Sequence, residues 1–234
     1  MHKFEHTAFV VGLGFVAGFV DVYGFTRLSG LLPAHITGNL IFLAIYIAHD
    51  RYDVLMFVAA LPIFCLGVLG SAWLIGILAE HARDPFLPAL LLEAALLFLG
   101  MLCAQAFART GHPDSLGTLA TGTLVVLAMA LQNTLMRLVL NNLPPTTVMT
   151  GNLTQVLSDI LAFAFRFPSI RHTKSEKVIL ERQALRMLLT LLSFLIGAVM
   201  AGIGGLYLGN FGLLLPVAAL LVLIPFGQHV LKAA

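Results

Sequence analysis

Charged residues are scarce in this chain of 234 residues: only 10% are Asp, Glu, Lys or Arg, whereas 59% are hydrophobic. A soluble domain is about one-quarter charged and about one-half apolar, so this composition argues against an ordinary soluble protein. Cysteine is scarce as well. Cys65 and Cys103 lie inside apolar runs with no CxxC or Cys/His pattern, which argues against a disulfide framework and a zinc site. The composition predicts an integral membrane protein.

Catalytic signatures are lacking too. The chain has no HExxH or GxSxG motif, and its polar residues show no nucleophile–base pattern. We therefore expect no enzymatic activity, no cofactor, no bound metal and no nucleic-acid partner. The apolar run at the start has no small-x-small cleavage site, so we expect a retained first helix, not a removed signal peptide.

Long apolar runs are what the chain has in abundance. A membrane-spanning helix needs about 20 apolar residues. Eight candidate segments follow one another, at about 7–26, 37–49, 54–79, 86–107, 115–140, 150–167, 184–208 and 211–231. The second and sixth are short, and they can cross only if they are tilted or if the preceding loop dips into the membrane. The sequence predicts an all-α, polytopic helical bundle of about eight apolar segments.

The basic residues indicate how the chain is oriented, because cytoplasmic loops carry an excess of Lys and Arg. If the N-terminus is cytoplasmic and all eight segments cross, only Arg27, Arg83 and Arg137 of the 13 basic residues fall outside. The longest polar loop, at about 167–183, is then cytoplasmic, and its charges are most simply a topology signal that faces solvent and lipid headgroups. We expect both termini to be cytoplasmic.

A polar motif interrupted by Gly and Pro occurs twice. The first copy, residues 33–40, reads PAHITGNL, and the second, residues 145–153, reads PTTVMTGNL. Each copy follows an apolar segment that already carries polar groups: Asp21 in the first case, Gln132 and Asn133 in the second. These breaks lie where continuous helix would be expected, so they are the place to look for function.

The two copies divide the chain into comparable halves, which predicts a first membrane repeat at 1–110 and a second at 111–234. With four segments in each half, both halves would insert the same way up. We therefore expect a parallel repeat, related by an axis along the membrane normal. Small residues four apart, such as Gly14 with Gly18 and Gly197 with Ala201, predict close helix packing in lipid.

The sequence resembles a known family at these motifs. The residues that carry the likeness are GFVD at 18–21, HITGN at 35–39, LQN at 131–133 and PTTVMTGN at 145–152. Together they resemble the YoaK family of bacterial inner-membrane proteins. The resemblance implies a multi-spanning protein of the bacterial cytoplasmic membrane. The function of that family is uncharacterised, so it implies no substrate and no catalytic residues.

The motif residues have a structural and a functional interpretation. Asn39 and Asn152 each stand at the start of an apolar helix, where an Asn side chain can cap free N–H groups, and Gln155 would complete a capping box with Asn152. In the functional interpretation, a helix N-terminus at membrane depth binds a polar or anionic group, as in broken-helix transporters. Gly38 and Gly151 would then let the backbone approach a ligand.

Four ionisable residues lie within the apolar segments: Asp21, Glu93, Arg137 and Asp159. Such groups cost about 2.5–3.5 kcal/mol each on insertion scales, so they tend to be paired or to line a wet cavity. We expect Asp21 and Arg137 to approach each other near the motifs, either as an ion pair that fixes helix register or as part of a transport site. His35 either gates a proton or is simply hydrogen-bonded.

The leading functional hypothesis is a transporter or channel for a small polar or ionic solute, because a duplicated broken segment points to a membrane binding site. A non-catalytic scaffold or assembly protein is the alternative, and a membrane-embedded enzyme is a third. The partners expected are the lipid bilayer, an unidentified small solute and a second copy of the chain in a homo-oligomer. The predicted substrate-binding residues are Asp21, His35, Thr37, Gly38, Asn39, Gln132, Asn133, Arg137, Thr146, Thr147, Thr150, Gly151 and Asn152.

Overall fold

The structure, a computed structural model, describes residues 2–49, 54–81, 84–107, 116–165 and 174–230. Its side chains are described over 6–49, 54–81, 84–107, 116–161 and 183–226. Regular structure in these ranges is helical, which confirms the predicted all-α bundle. The helices are α1 (His2–Arg27), α2 (Ile36–Ala48), α3 (Leu55–Glu80), α4 (Phe86–Phe107), α5 (Leu116–Leu138), α6 (Met149–Phe165), α7 (Lys174–Tyr207) and α8 (Leu214–Val230), with a 3-10 turn at Gly209–Leu213 before α8.

Six of the described helices are long and apolar enough to cross a membrane. Their candidate spans are His6–Arg27, Leu55–Glu80, Phe86–Phe107, Leu116–Leu138, Gln183–Tyr207 and Gly209–Phe226. The other two helices, α2 with 13 residues and α6 with 17, are shorter than the roughly 20 residues that a span requires. The chain is therefore a multi-pass membrane protein.

Contacts between α1 and its neighbours give the directions of three helices. Gly14 lies against Ser193, and Arg27 donates a hydrogen bond to the Gly205 carbonyl oxygen, so α1 and α7 run parallel. In the 3-10 turn before α8 the side chain of Asn210 contacts the ends of two other helices. It accepts a hydrogen bond from the Tyr23 hydroxyl at 3.4 Å and donates one to the carbonyl oxygen of residue 104 at 3.0 Å. Thus α4 runs with α1, and α8 runs against both.

The second group of helices runs the opposite way to α1. Near its start α5 lies against Leu31, which follows α1, and near its end Gln132 donates to the Leu13 carbonyl oxygen at 3.1 Å. Gly122 and Gly67 show that α3 is parallel to α5, because they face Met56 and Ala130 respectively. Helices α1, α4 and α7 therefore point one way, and α3, α5 and α8 point the other.

These directions correct two expectations from the sequence. Helix α3 returns towards the side from which α1 came, so α2 begins and ends on one side and adds no crossing. The same holds for α6 between α5 and α7. Six crossings replace the eight that we expected, and the parallel relation of the halves is wrong, because α1 and α5 are antiparallel. The physical reason is that the two motif loops fold back along their helices and leave the short segments on the side they started from.

The helices that precede the two motifs, α1 and α5, form the core. In an 18-residue apolar stretch of α1, and in one of α5, 67% of the residues are buried, whereas the corresponding share is 28% in α3 and in α7. Helix α1 packs along α7 and α8, α5 packs along α3 and α4, and α4 packs on α8. The first helix of each half thus lies against the third and fourth helices of the other half.

Close packing by small residues occurs at some of the predicted positions. A Cβ atom at Gly18 would clash with the backbone of Phe194, and one at Gly197 would clash with the backbone of Phe15. Without these glycines, α1 and α7 could not approach each other so closely. By contrast, Gly76 has no atom within 4 Å of where its Cβ would lie, so there the small residue serves no contact.

Candidate functional site

The first motif is part of a loop, residues 28–35, that folds back along α1. We call it loop 1. The reversal uses a left-handed backbone at Ser29 and Gly30, with φ of 58° and 93°. The Ala34 N–H then donates to Asp21 Oδ1 at 2.8 Å, and His35 Nδ1 is bonded to Asp21 Oδ2. Asp21 lies six residues before the end of α1, so the loop reaches back about 9 Å along the helix.

Asn39 holds loop 1 to the first turn of α2. Its Oδ1 accepts from the Leu32 N–H at 2.8 Å, and its Nδ2 donates to the Leu32 carbonyl oxygen at 2.9 Å. The amide group therefore pairs with one residue's backbone as a neighbouring strand would. This corrects the expected capping role, because α2 begins at Ile36, before Asn39, and its N-cap residue is His35, which makes no side-chain cap bond. Asn39 is buried.

His35 lies between α1 and α2, outside the candidate spans, and its side chain is 32% exposed. The hydrogen bond with Asp21 raises the pKa of His35, and partial burial lowers it by less. The charged form of the imidazole is therefore favoured by a partner that is itself buried. The ring also meets Phe194 of α7 edge-on, with centroids 5.5 Å apart. The lone histidine of the motif is thus one half of an ion pair when it is protonated.

The second motif lies in a loop, residues 139–148, that folds back along α5 in a similar way. We call it loop 2. Thr147 donates to Asn133 Oδ1 at 2.5 Å, and Gln132 Nε2 donates to Thr146 Oγ1 at 2.8 Å and to the Leu13 carbonyl oxygen at 3.1 Å. The two side-chain pairs that join loop 2 to α5 each span 14 residues, as does the pair of His35 and Asp21 that joins loop 1 to α1. Each loop therefore bonds to its preceding helix about one and a half turns before the end of that helix.

Asn152 corresponds to Asn39, with one difference. Its Nδ2 donates to the Pro145 carbonyl oxygen at 2.8 Å, seven residues earlier, as Asn39 does to Leu32. Pro145 has no N–H, so the second bond of the pair cannot form. The expected capping box is also absent: the Asn152 N–H bonds to the Val148 carbonyl oxygen, and Gln155 bonds to Asp159 at 2.8 Å.

The two loops approach the core from opposite ends of the bundle. Loop 1 is fastened at Asp21, and loop 2 is fastened at Gln132, which reaches α1 at Leu13. Eight residues separate Asp21 from Leu13, which is about 12 Å along a helix. Among the described hydrogen bonds, none joins one loop to the other. The loops are thus separate and lie above and below the middle of α1.

The expected pairing of Asp21 with Arg137 is not formed. Arg137 is exposed in the last turn of α5, near the end where loop 2 lies, whereas Asp21 lies near the end of α1 where loop 1 lies. Antiparallel helices keep these two ends apart. The partner of Asp21 is His35 instead of Arg137. In the sequence His35 was noted only as a lone histidine.

The other four predicted site residues have no described side-chain bond to Asp21, His35, Gln132 or Asn133. Thr37, Thr150 and Gly151 are exposed, and the Thr150 carbonyl oxygen accepts a bond from the Thr154 hydroxyl at 2.9 Å. Gly38 is half-buried, and a Cβ there would lie 2.6 Å from a Leu32 methyl group, so it permits the close return of loop 1. In the described part of the chain, no group of three His, Cys, Asp or Glu could hold a metal ion.

Among the described residues, one buried carboxylic acid side chain lies outside the predicted site. Glu93 of α4 is 0% exposed, and neither of its carboxylate oxygens has a hydrogen-bond partner. The sequence marked it as an ionisable residue within an apolar segment. The spacing of the motifs could not place it, because α4 carries no motif and the helices beside α4 become evident only once the bundle is packed.

Comparison with known proteins gives a family and one relative. A family model described as a protein of unknown function, DUF1275, matches residues 9–226. The UPF0700 transmembrane protein YoaK of Bacillus subtilis is 29% identical over 190 residues, which is 80% of this chain and 78% of that protein. No solved structure matches. The match extends from α1 into α8 and includes both loops, which confirms the resemblance noted from the motifs: the chain belongs to the DUF1275 family of transmembrane proteins.

Proposed function

We propose that this protein is a transporter or channel for a small polar or ionic solute, and that the solute passes between loop 1 and loop 2. The observation that carries the proposal is the pair of polar loops buried against the two central helices, one from each end of the bundle. Asp21, Gln132 and Thr146 are each less than 5% exposed. A helical bundle that only had to be stable could fill these positions with apolar side chains.

The physical support is the cost of non-helical backbone at membrane depth. In lipid every unpaired N–H or C=O costs several kcal/mol, so irregular segments persist only where protein or a wet cavity covers them. Transporters of several folds place broken segments from two halves near the bilayer midplane. Here the two loops are fastened about 12 Å apart along α1, one towards each side of the membrane. The antiparallel relation of α1 and α5 favours halves of opposite orientation, so that each loop would open to a different side.

The charge distribution supports an orientation for these loops. With six crossings, Arg27, Arg51 and Arg109 fall on one side and the other ten basic residues fall on the opposite side. By the positive-inside rule the side with ten is cytoplasmic. Both termini and loop 2 would then face the cytoplasm of a bacterium, and loop 1 would face outwards. Of the predicted cytoplasmic loop at 167–183, residues 167–173 lie outside the described residues, and the rest belong to the start of α7. The membrane would be the bacterial cytoplasmic membrane.

A scaffold or assembly role is the second candidate. Helices α3 and α7 leave most of their apolar surface uncovered, which suits contact with lipid or with another copy of the chain. A catalytic role has less support. Among the described residues of loop 2, Thr147 donates to an amide and Thr146 accepts from one, so neither hydroxyl is paired with a base.

The proposal is tested by solute flux into proteoliposomes, followed by light scattering after an osmotic step. Glycerol, urea, potassium chloride and sodium acetate serve as probes of neutral, cationic and anionic permeation. We expect at least one probe to enter faster than into protein-free liposomes. For that probe, Asp21→Asn and Thr146→Val should each slow entry about tenfold, the effect of losing about 1.4 kcal/mol of interaction with the solute.

The control is Thr154→Val, which removes a hydroxyl that bonds only within exposed α6. It should leave flux unchanged, and thermal unfolding should show that all three variants fold. If no probe enters faster than in protein-free liposomes, or if the control slows flux as much as the loop variants do, the transport proposal fails. Self-association of the purified protein without flux would then favour the scaffold role.

A further inference from the structure

Helices α4 and α5 pack along an antiparallel seam that is marked by two close contacts. A Cβ atom at Gly100 would lie 3.2 Å from Val125 Cγ2, and Gly117 lies against the ring of Phe107. The seam therefore advances by seven residues on α4 while it goes back by about eight on α5. Seven residues are close to two helical turns, so side chains at that interval share one face.

The same register places Glu93 opposite Gln132. Glu93 is seven residues before Gly100 on α4, and Gln132 is seven residues after Val125 on α5. Both therefore lie on the faces that meet, one step further along the seam, and both are 0% exposed. Glu93 Oε1, Glu93 Oε2 and Gln132 Oε1 are all buried without a hydrogen-bond partner.

These three oxygens lack a donor. The Gln132 amide hydrogens are engaged by Leu13 and Thr146, so they do not face the carboxyl group. An ionised Glu93 would add an unpaired charge to a site of acceptors only, at a cost of several kcal/mol. A proton on the carboxyl group removes the charge and turns one oxygen into a donor for Gln132 Oε1.

Among the residues whose side chains the structure describes, we find no other charged group beside this pair on the helices that pack against α4. The charged residue of α5 in the described range is Arg137, at its exposed end, and residues 214–226 of α8 carry none. On α1, which contacts α4 through Phe9 and Phe86, the titratable or charged groups with described side chains are His6 near one end and Asp21, Tyr23 and Arg27 near the other. Tyr23 donates to Asn210, and Arg27 donates to the Gly205 carbonyl oxygen. Asp21 already bonds to His35.

We propose that Glu93 and Gln132 form a proton-binding site at the centre of the membrane domain, with an exchangeable proton on the Glu93 carboxyl group. Gln132 joins this site to loop 2 through Thr146, at 2.8 Å. In combination with the proposed function, on which this last step rests, the proton would be the coupling ion of transport. Protonation state and the position of loop 2 would then change together.

Infrared spectroscopy of the purified protein in lipid nanodiscs tests the site directly, because the C=O band of a protonated carboxylic acid is separate from that of a carboxylate. We expect the protein at neutral pH to show this band, to shift it when H₂O is replaced by D₂O, and to lose it in Glu93→Gln. Glu80→Gln is the matched control: Glu80 is exposed at the end of α3, and its replacement should leave the band in place.

Gln132→Leu gives an independent readout, because loss of the acceptor should move the band to the position of a free acid, even if Glu93→Gln does not fold. Absence of the band at neutral pH, its persistence in Glu93→Gln, or a band that does not shift in D₂O would each overturn the proposal. A band that appears only when sodium is withdrawn would overturn it in favour of a cation site. No solute or flux is needed, so this result and the transport result can fail separately.

Discussion

Loop 1 and loop 2 follow the same path but are held by different chemistry. In each, a side chain bonds to the preceding helix 14 residues back, and an Asn bonds to the backbone seven residues back. Loop 1 uses a carboxylate and an imidazole, Asp21 and His35. Loop 2 uses the neutral pair Asn133 and Thr147. The path therefore does not require charge, because the neutral pair achieves it.

This difference separates what each loop needs for folding from what it has in addition. A buried ion pair is no better for stability than a well-packed neutral alternative, because desolvation offsets the attraction. The charge in loop 1 is thus an excess over the structural requirement. In loop 2 the addition is Gln132, which bonds to α1 and which we infer lies opposite Glu93. The two loops therefore follow a similar backbone path, but they differ in the polar side chains that could contact a solute or a proton.

The largest expected effect comes from the two asparagines. Asn39→Leu leaves both the N–H and the carbonyl oxygen of Leu32 without partners, whereas Asn152→Leu leaves only the Pro145 carbonyl oxygen. Each buried orphan costs about 1–3 kcal/mol, so we expect a loss of about 4 kcal/mol for Asn39→Leu and about 2 kcal/mol for Asn152→Leu. Thermal unfolding in detergent measures both.

This prediction depends on the proline. Pro145→Ala restores the missing N–H in loop 2, so it should allow Asn152 to form the second bond and should make a following Asn152→Leu change more costly. Equal losses for the two asparagine variants, or a larger loss for Asn152→Leu, would contradict the assignment of the asparagines as backbone partners of unequal strength.

A second comparison concerns the packing of two glycines, one in a close helix contact and one in open space. Gly18→Ala forces a methyl group into the backbone of Phe194, which cannot move aside as a side chain could, so we expect a loss of about 3 kcal/mol. Gly76→Ala, on α3, meets no atom within 4 Å and should gain about 0.5–1 kcal/mol from helix propensity. Unfolding in detergent should show Gly18→Ala to be less stable than the unaltered protein and Gly76→Ala to be more stable. Similar effects would mean that α1 and α7 are not in such close contact.

Much of the fold follows from the sequence, but the number of crossings does not. Apolar run length predicts the long helices, because lipid demands about 20 apolar residues and each run supplies them. The basic residues could not correct the count. With eight crossings or with six, ten of the 13 fall on one side, since Arg51 and Arg109 change places with Arg83 and Arg137. Helix direction is a tertiary property that this charge count leaves open.

The site was predictable in its location along the chain but not in its partners. The repeat of Thr-Gly-Asn marked both loops, and a polar residue in an apolar helix marked Asp21, Gln132 and Asn133. The partner of Asp21 was missed because the sequence offers two candidates, Arg137 and His35, and only the fold-back of loop 1 decides between them. Asn39 looked like a helix cap because the apolar helix was expected to follow it, whereas α2 begins at Ile36 and already includes Asn39.

The charge in loop 1 predicts a pH dependence that loop 2 lacks. Because Asp21 raises the pKa of His35 above the ordinary 6.5, protonated His35 stabilises the fold fully below about pH 6.5, and this contribution is lost as pH rises through the raised value. In Asp21→Asn that part of the slope should vanish, at a cost of about 1–2 kcal/mol near pH 6. Melting temperatures from pH 5.5 to 9 measure it. The same slope in Asp21→Asn would mean that His35 gains nothing from Asp21.

The smallest expected effect isolates the neutral pair. Thr147→Val keeps the shape of the side chain but removes the donor to Asn133 Oδ1, while Asn133 Nδ2 keeps its bond to the Met129 carbonyl oxygen at 3.2 Å. We expect a loss of about 1 kcal/mol, the usual contribution of one hydrogen bond. Thr134→Val is the matched control, because that buried hydroxyl donates only to a carbonyl of its own helix, the Ala130 oxygen, and its removal should cost less. If Thr134→Val costs as much as Thr147→Val in thermal unfolding, the bond across loop 2 contributes nothing special, and the neutral loop would have to be held in place by packing and by Gln132 alone.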